Sequence, residues 1–266
     1  MEAVSPRVRL DRLLVDRGLV ESREKAARHI LAGDVLVDGG RVDKAGALVS
    51  TDAEIELKGR SPYVSRGGEK LVHALDYFHI SPEGRVCLDV GASTGGFTDC
   101  LLKRGAVRVY AVDVGTGQLD ARLRKDSRVV VMEHTNARAL DPRVFGDRPS
   151  LAVADVSFIS LEKILPSVFG TLAPGGETVA LVKPQFEAGR EAVGKGGVVR
   201  DPAQHRAVVG RLARYAILHG WHVLGVTASP LRGPKGNREF FLHLSLRGRT
   251  AADLEGMIAR TVEALA

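Results

Sequence analysis

Cysteine is nearly missing from this chain: 266 residues carry two, Cys87 and Cys100. A disulfide framework is therefore not expected, and a reducing cytoplasm is the natural compartment. No apolar run is long enough to span a membrane. The opening residues, MEAVSPRVRLDRLL, lack the apolar segment of a secretory leader. The eight histidines (His29, His73, His79, His134, His205, His219, His222 and His243) match no ligand spacing, so no metal is expected. Internal repeats and low-complexity tracts are also missing.

What is present is enough apolar residue, 44%, to bury a real core, and a formal net charge of +6. The charge is uneven. Residues 1–60 balance at 11 basic and 11 acidic, and residues 61–182 balance at 14 and 14. Residues 183–249 carry 12 basic residues against 4 acidic. Positive charge gathered in one region points to a polyanion such as RNA as partner.

The first 57 or so residues form a small unit. RLDRLLVDRG reads as a helix with Leu10, Leu13 and Leu14 inward, ended by Gly18. Ser22 caps a second helix that Gly33 stops. VLVDGG and AEIEL read as strands. Arg7, Arg9, Arg12, Arg17, Arg23, Lys25 and Arg28 concentrate on the helices while the acids are expected mostly elsewhere, which would give a neutral unit a basic face. A linker follows, because Pro62 disfavours helix at Ser61. Beyond it strands at 86–90, 107–113, 129–132, 151–155 and 177–183 alternate with helices, and WHVLGVTAS and EFFLHLSL add two more. ISLEKILPSVFGTL reads as one helix kinked at Pro166, DPAQHRAVVGRLARYAILHG as another capped by Asp201, and TAADLEGMIARTVEALA as the last. Alternation of this kind predicts an α/β fold with a mostly parallel sheet covered on both faces.

The most informative stretch is VCLDVGASTGGFTDCLL, residues 86–102. An apolar strand runs into Asp89, a turn through Gly91, Gly95 and Gly96, and a helix. Glycine admits positive φ and close approach of a ligand to the backbone, and the helix start offers unpaired N–H groups. The glycine spacing is not G-x-G-x-x-G, and no lysine follows Gly95 or Gly96 to make a P-loop. A second strand ends in Asp113, 22 residues after Gly91, where a carboxylate suits the two hydroxyls of a ribose. The combination resembles the cofactor loop of Rossmann-like S-adenosylmethionine methyltransferases.

The methyl acceptor must be read elsewhere. Amine methylation commonly uses an Asp/Asn-Pro-Pro-aromatic motif after the fourth strand, and here that place reads ADVSFIS, without prolines. Pyrimidine C5 methylation needs a cysteine nucleophile, and neither Cys87 nor Cys100 is well placed. Four ionisable residues remain at suspicious positions: Lys70 after SRGGE, Asp155 and Lys183 at the carboxyl ends of strands, and Glu239 at the start of the last strand. Each has an alternative as an ordinary solvated charge.

Their order resembles the Lys-Asp-Lys-Glu tetrad of FtsJ-type ribose 2′-O-methyltransferases. SRGGEKL, LDVGASTGGFTD, DVSFISL, LVKPQFEAGR, GVVRDP and GPKGNREFFL are similar to the TlyA family of bacterial rRNA 2′-O-methyltransferases, some of which carry the label haemolysin. LDRLLVDRGLVESREKAARHILAGDVLVDG resembles the RNA-binding module named after ribosomal protein S-four. The resemblance implies a Rossmann-like class I methyltransferase with a seven-stranded, mostly parallel sheet at 65–266. Ahead of it would stand an S-four-type α/β domain at 1–58 and a linker at 59–64. It implies S-adenosyl-L-methionine as cofactor, held by Asp89, Gly91, Ala92, Ser93, Thr94, Gly95, Phe97, Asp113, Val114, Asn136 and Asp155. Lys70, Asp155, Lys183 and Glu239 would be catalytic, with Lys183 as base or as a group steering the hydroxyl. Arg7, Arg9, Arg12, Arg23, Lys25, Arg28, Arg66, Arg200, Arg232 and Lys235 would contact RNA. The implied partner is rRNA or a ribosomal subunit, with no membrane and no metal. A haemolysin and a non-catalytic ribosome assembly factor are the competing readings.

Overall fold

The computed structural model describes residues 6–57, 61–189, 191–194 and 196–265. The chain divides into two compact units, Met1–Arg60 and Ser61–Ala266. Of the linker expected at 59–64, residues 59 and 60 lie outside the described set. The remainder packs onto the larger unit: the Val64 N–H donates to the Asp99 carboxylate (2.9 Å), and Lys103 Nζ lies 5.2 Å from the Tyr63 ring centre.

The smaller unit runs β1 (Arg7–Arg9), α1 (Leu10–Asp16), α2 (Arg23–Ala32), β2 (Val35–Val37), β3 (Gly40–Arg41), β4 (Leu48–Ser50) and β5 (Ile55–Leu57). Leu10, Leu13 and Leu14 are buried, with Ala26 and Ile30 of α2 against them. Ser22 Oγ accepts from Lys25 N–H (3.2 Å), the expected cap, and Gly33 closes α2 at φ +75°. Strands β1 and β4, which pair antiparallel, were not expected. Three-residue strands are too short for an alternation signal to stand out.

The larger unit continues with α3 (Arg66–Tyr77), β6 (Val86–Val90), α4 (Gly96–Lys103), β7 (Arg108–Val112), α5 (Ala121–Arg124), β8 (Val129–Met132) and β9 (Leu151–Ala154). It ends with α6 (Leu165–Thr171), β10 (Glu177–Val182), α7 (Pro184–Glu187), α8 (Pro202–Leu218), β11 (His222–Ala228), β12 (Phe240–Ser245) and α9 (Leu254–Glu263). The sheet has seven strands in the order β11-β12-β10-β9-β6-β7-β8. All neighbours are parallel except β12, which lies antiparallel between β10 and β11. Alternation sends Leu88 and Val90 to one face, under α6, α8 and α9. It sends Cys87 and Asp89 to the other, under α3 and α4.

Two expected helices differ in extent. The segment 159–172 is a 3₁₀ turn at Leu161–Lys163 followed by α6, with Pro166 in its first turn. Proline lacks the N–H that a helix interior requires, so it opens a helix here and does not kink one. The last helix begins only at Leu254, where Asp253 Oδ1 accepts from Gly256 N–H (3.1 Å). Asp201 caps α8 as expected, through Ala203 N–H (2.8 Å).

The chain leaves the sheet centre in opposite directions from β6, toward β7 on one side and β9 on the other. That switch point opens a crevice at the carboxyl ends of β6 and β9, where open α/β sheets bind ligands.

Candidate active site

The glycine turn after β6 sits at this crevice. Gly91 has φ +85°, and a Cβ there would lie 2.5 Å from the backbone oxygen of Asp155 at the end of β9. The turn can pass that close to the neighbouring strand only without a side chain. Two cavities of about 430 and 410 Å³ meet here and share Gly91, Ser93, Asp155 and Ser157 as walls.

The first cavity brings both lysines together. It is lined by Lys70 from the first turns of α3, by Lys183 from the end of β10, and by Asp155. Lys183 Nζ lies 2.5 Å from Asp155 Oδ1 and donates to Ser157 Oγ at 2.9 Å. The Asp155 contact is a charge pair off the hydrogen-bond line, since Oδ1 has no aligned donor among the described residues. Lys70 Nζ donates to Glu239 Oε2 at 2.6 Å. Glu239 is 1% exposed and lies behind Lys70, off the cavity wall. A Cβ on Gly233 would come within 2.0 Å of Glu239 Oε1, so the glycine makes room for this carboxylate.

The second cavity has the walls a nucleoside needs. Val112, Val114, Ile159 and Ile164 are apolar, and Asp113 and Asn136 are polar. The Asp113 carboxylate also pins the glycine loop, accepting from Ser93 N–H (2.8 Å) and Gly115 N–H (2.7 Å). Asn136 Oδ1 caps a 3₁₀ turn through Arg138 N–H (3.0 Å), which orients its side chain at the cavity rim.

Of the residues expected around the cofactor, Gly91, Ala92, Ser93, Thr94, Phe97, Asp113, Val114, Asn136 and Asp155 line one cavity or the other. Asp89 and Gly95 do not. Asp89 is fully buried beneath the loop, where Thr98 Oγ1 donates to its Oδ2 (2.7 Å), and burial pushes its carboxyl up to about 7. Cys87 and Cys100 are free thiols, and burial pushes both up to about 12, far from a nucleophilic thiolate. Among the described residues no group of His, Cys, Asp or Glu could hold a metal ion, and no helix is long and apolar enough to cross a membrane.

Ser157 and Gly233, both at the site, were not expected. Both lie inside segments already singled out, Ser157 in DVSFISL and Gly233 at the start of GPKGNREFFL, and Ser157 also follows a strand end by three residues. Arg66 and Arg232, expected to contact RNA, line the lysine cavity, with Arg66 Nη2 donating to the Arg232 carbonyl (3.3 Å). Arg200 and Lys235 are exposed outside that wall. In the smaller unit the expected basic face is largely neutralised, contrary to the idea that its acids lie elsewhere. Arg9 and Arg23 share the buried Asp11, Arg12 pairs with Asp16, Lys25 with Glu21 and Arg28 with Glu24. Arg7 and Arg9 lie on β1, not on a helix. The i,i+4 spacing of the last three pairs places each acid one turn from its base. Exposed pairs of this kind are worth under about 1 kcal/mol.

The FtsJ-like methyltransferase family matches residues 63–246. The chain belongs to this family. An S4 domain matches residues 8–55. The 16S/23S rRNA (cytidine-2′-O)-methyltransferase TlyA of Mycobacterium tuberculosis is 50% identical over 261 residues, 96% of this chain and 97% of that one. Hemolysin A of Brachyspira hyodysenteriae is 48% identical over 238 residues, 89% and 99% of the two chains. A solved structure carrying the name hemolysin, from Streptococcus thermophilus, superimposes with a TM-score of 0.77 at 46% identity, covering 98% of this chain and 96% of that one. The TlyA-like resemblance thus holds over nearly the whole chain, and the seven-stranded sheet is that of a methyltransferase.

Proposed function

We propose that this methyltransferase moves a methyl group from S-adenosylmethionine to a ribose 2′-oxygen of rRNA, a cytidine by the names of its relatives. The observation that carries the reading is the convergence of two lysine–carboxylate pairs on one cavity, beside a second with nucleoside chemistry. Asp113 suits paired ribose hydroxyls, the valines and isoleucines suit an adenine face, and Asn136 suits its edge. Asp89 shapes the loop from below. Bound there, the cofactor supplies an electrophilic methyl group on a sulfonium.

Lys183 works on the acceptor. A 2′-hydroxyl is a weak nucleophile until its proton has somewhere to go. In the proposed step its oxygen takes the methyl group as the methyl–sulfur bond breaks, and its proton passes to the lone pair of Lys183 Nζ, which acts as the neutral amine and leaves the step as an ammonium. Asp155 holds Lys183 at the cavity wall and supplies the counter-charge for the ammonium that forms when Lys183 takes the proton. Lys70, steadied by Glu239, places a positive charge beside the reacting oxygen; Glu239 acts through Lys70 and is a positioning residue. Arg66 and Arg232 at the same wall meet the phosphate backbone, and the smaller unit supplies grip on structured RNA, read through backbone and shape. An rRNA substrate places this work in the cytoplasm.

Tritium-labelled cofactor and ribosomal subunits lacking the modification test the reading. Wild-type protein should transfer label, and Lys183→Ala should not; no label above the variant's rejects it. The relatives named hemolysin give a specific second reading. Leakage of liposomes by pure protein, unchanged in Lys183→Ala, would favour that one.

A further inference from the structure

Lys183 has two neighbours that do different things. Asp155 Oδ1 is close but off the hydrogen-bond line, so it holds charge without fixing direction. Ser157 Oγ accepts an aligned N–H at 2.9 Å and so sets the orientation of the amine. An amine able to take a proton has two N–H groups and one lone pair; fixing an N–H on Ser157 restricts where that lone pair points within the cavity that Lys183 lines.

Ser157 is itself held in place from the Lys183 side. The segment after Asp155 is fastened to α7, the helix that directly follows Lys183. Glu187 of α7, its side chain 2% exposed, accepts from Ser160 Oγ (2.8 Å), Leu161 N–H (2.7 Å) and Arg211 Nη2 (2.9 Å). The rings of Phe158 and Phe186 pack 4.8 Å apart across the same junction. The two segments carrying the Lys183–Asp155 pair are therefore one fixture, and a serine on it reaches the lysine.

We propose that Ser157 is a positioning residue that aims Lys183 at the acceptor hydroxyl, a role that rests on the 2′-O-methylation reading above. Directional control matters because proton transfer requires the amine's reacting position to face the acceptor oxygen at hydrogen-bond range. Charge attraction to Asp155 alone leaves the Nζ free to rotate about its stem. Since Ser157 also borders the nucleoside-side cavity, a cofactor-binding role is the competing explanation, and it predicts a different kinetic signature.

The test uses the full chain, tritiated S-adenosylmethionine and ribosomal subunits lacking the modification. Ser157→Ala should lower kcat by about 10- to 100-fold, the range for losing a hydrogen bond to a charged group. KM for the subunit and calorimetric affinity for the cofactor should stay within about twofold. Ser157→Thr, which keeps the hydroxyl, should recover most of the rate. Three results overturn the proposal: wild-type kcat in Ser157→Ala, a loss that appears in KM or cofactor affinity with kcat kept, or a Thr variant no better than Ala. Failure of the wild-type protein to transfer label would instead reject the methylation reading.

Discussion

Replacing Lys70 by Met keeps the side chain's apolar stem and removes its charge. Glu239 is then a carboxylate with a fully buried side chain whose only side-chain ion-pair partner among the described residues is gone. Breaking a buried pair from one side costs about 3–5 kcal/mol. Protonation sets a ceiling. An ordinary glutamate releases its proton near pH 4.3, so keeping it protonated at pH 7 costs about 3.7 kcal/mol, and at pH 5 only about 1 kcal/mol. The two arguments agree on a loss of roughly 3–4 kcal/mol at pH 7, a large share of a typical domain's stability. The sign is fixed as well. In the variant the folded state favours the proton more than the unfolded chain does. Its deficit against wild type is therefore smallest near pH 4.3 and grows as pH rises. Removing both charges, Lys70→Met/Glu239→Leu, should return to within about 1 kcal/mol of wild type, because a well-packed apolar pair often matches a buried ion pair. Neither variant should transfer methyl groups at the wild-type rate. Urea melts followed by Trp221 fluorescence suit the measurement. It is the only tryptophan, it stacks on Phe169 at 4.1 Å, and it belongs to the larger unit. A loss below about 1 kcal/mol at pH 7, a loss independent of pH, or a double variant as unstable as the single would refute the reasoning.

Other perturbations separate the parts of the site. Burial raises Asp89 from 3.8 to about 7, so its contribution to stability is full below pH 4 and declines as pH rises to 7; Asp89→Asn should flatten that slope in denaturant melts taken from pH 4 to 8. Gly233→Ala places a methyl group 2.0 Å from Glu239 Oε1. It should leave the protein folded by circular dichroism while lowering kcat by about 100-fold, the scale of an ångström-sized misplacement. Asp113→Asn loses charge-assisted bonds to Ser93 and Gly115 as well as a carboxylate for the ribose. Calorimetry should show cofactor affinity about 10- to 100-fold weaker.

Much of this molecule is written in local signals. The glycine turn at 91–96, the caps at Ser22 and Asp201 and the strands of the larger sheet lie within a few residues of their own causes, and sequence spacing exposes them. The burial of Asp89 was legible in principle. It shares a strand face with Cys87, two residues away, and that face lies under α4. Lys70 and Glu239 could be singled out from motif order. Their contact could not, because it depends on β12 entering the sheet antiparallel between β10 and β11. Ser157 sits inside the DVSFISL segment without standing out in it, and its meaning comes only from where Lys183 ends β10. The smaller unit's arginines show the opposite failure. Placing the basic residues on the helices and the acids elsewhere predicted a basic face, while pairing at i,i+4 and around the buried Asp11 neutralises most of it.

The identity of the methylated atom tests the central claim most directly. Subunits labelled by the wild-type protein can be digested to nucleosides and separated by mass spectrometry. The account predicts one labelled nucleoside whose methyl group stays with the sugar when the base is cleaved off, and no such product with Lys183→Ala. Label on the base, or sugar label equal in both proteins, would contradict it.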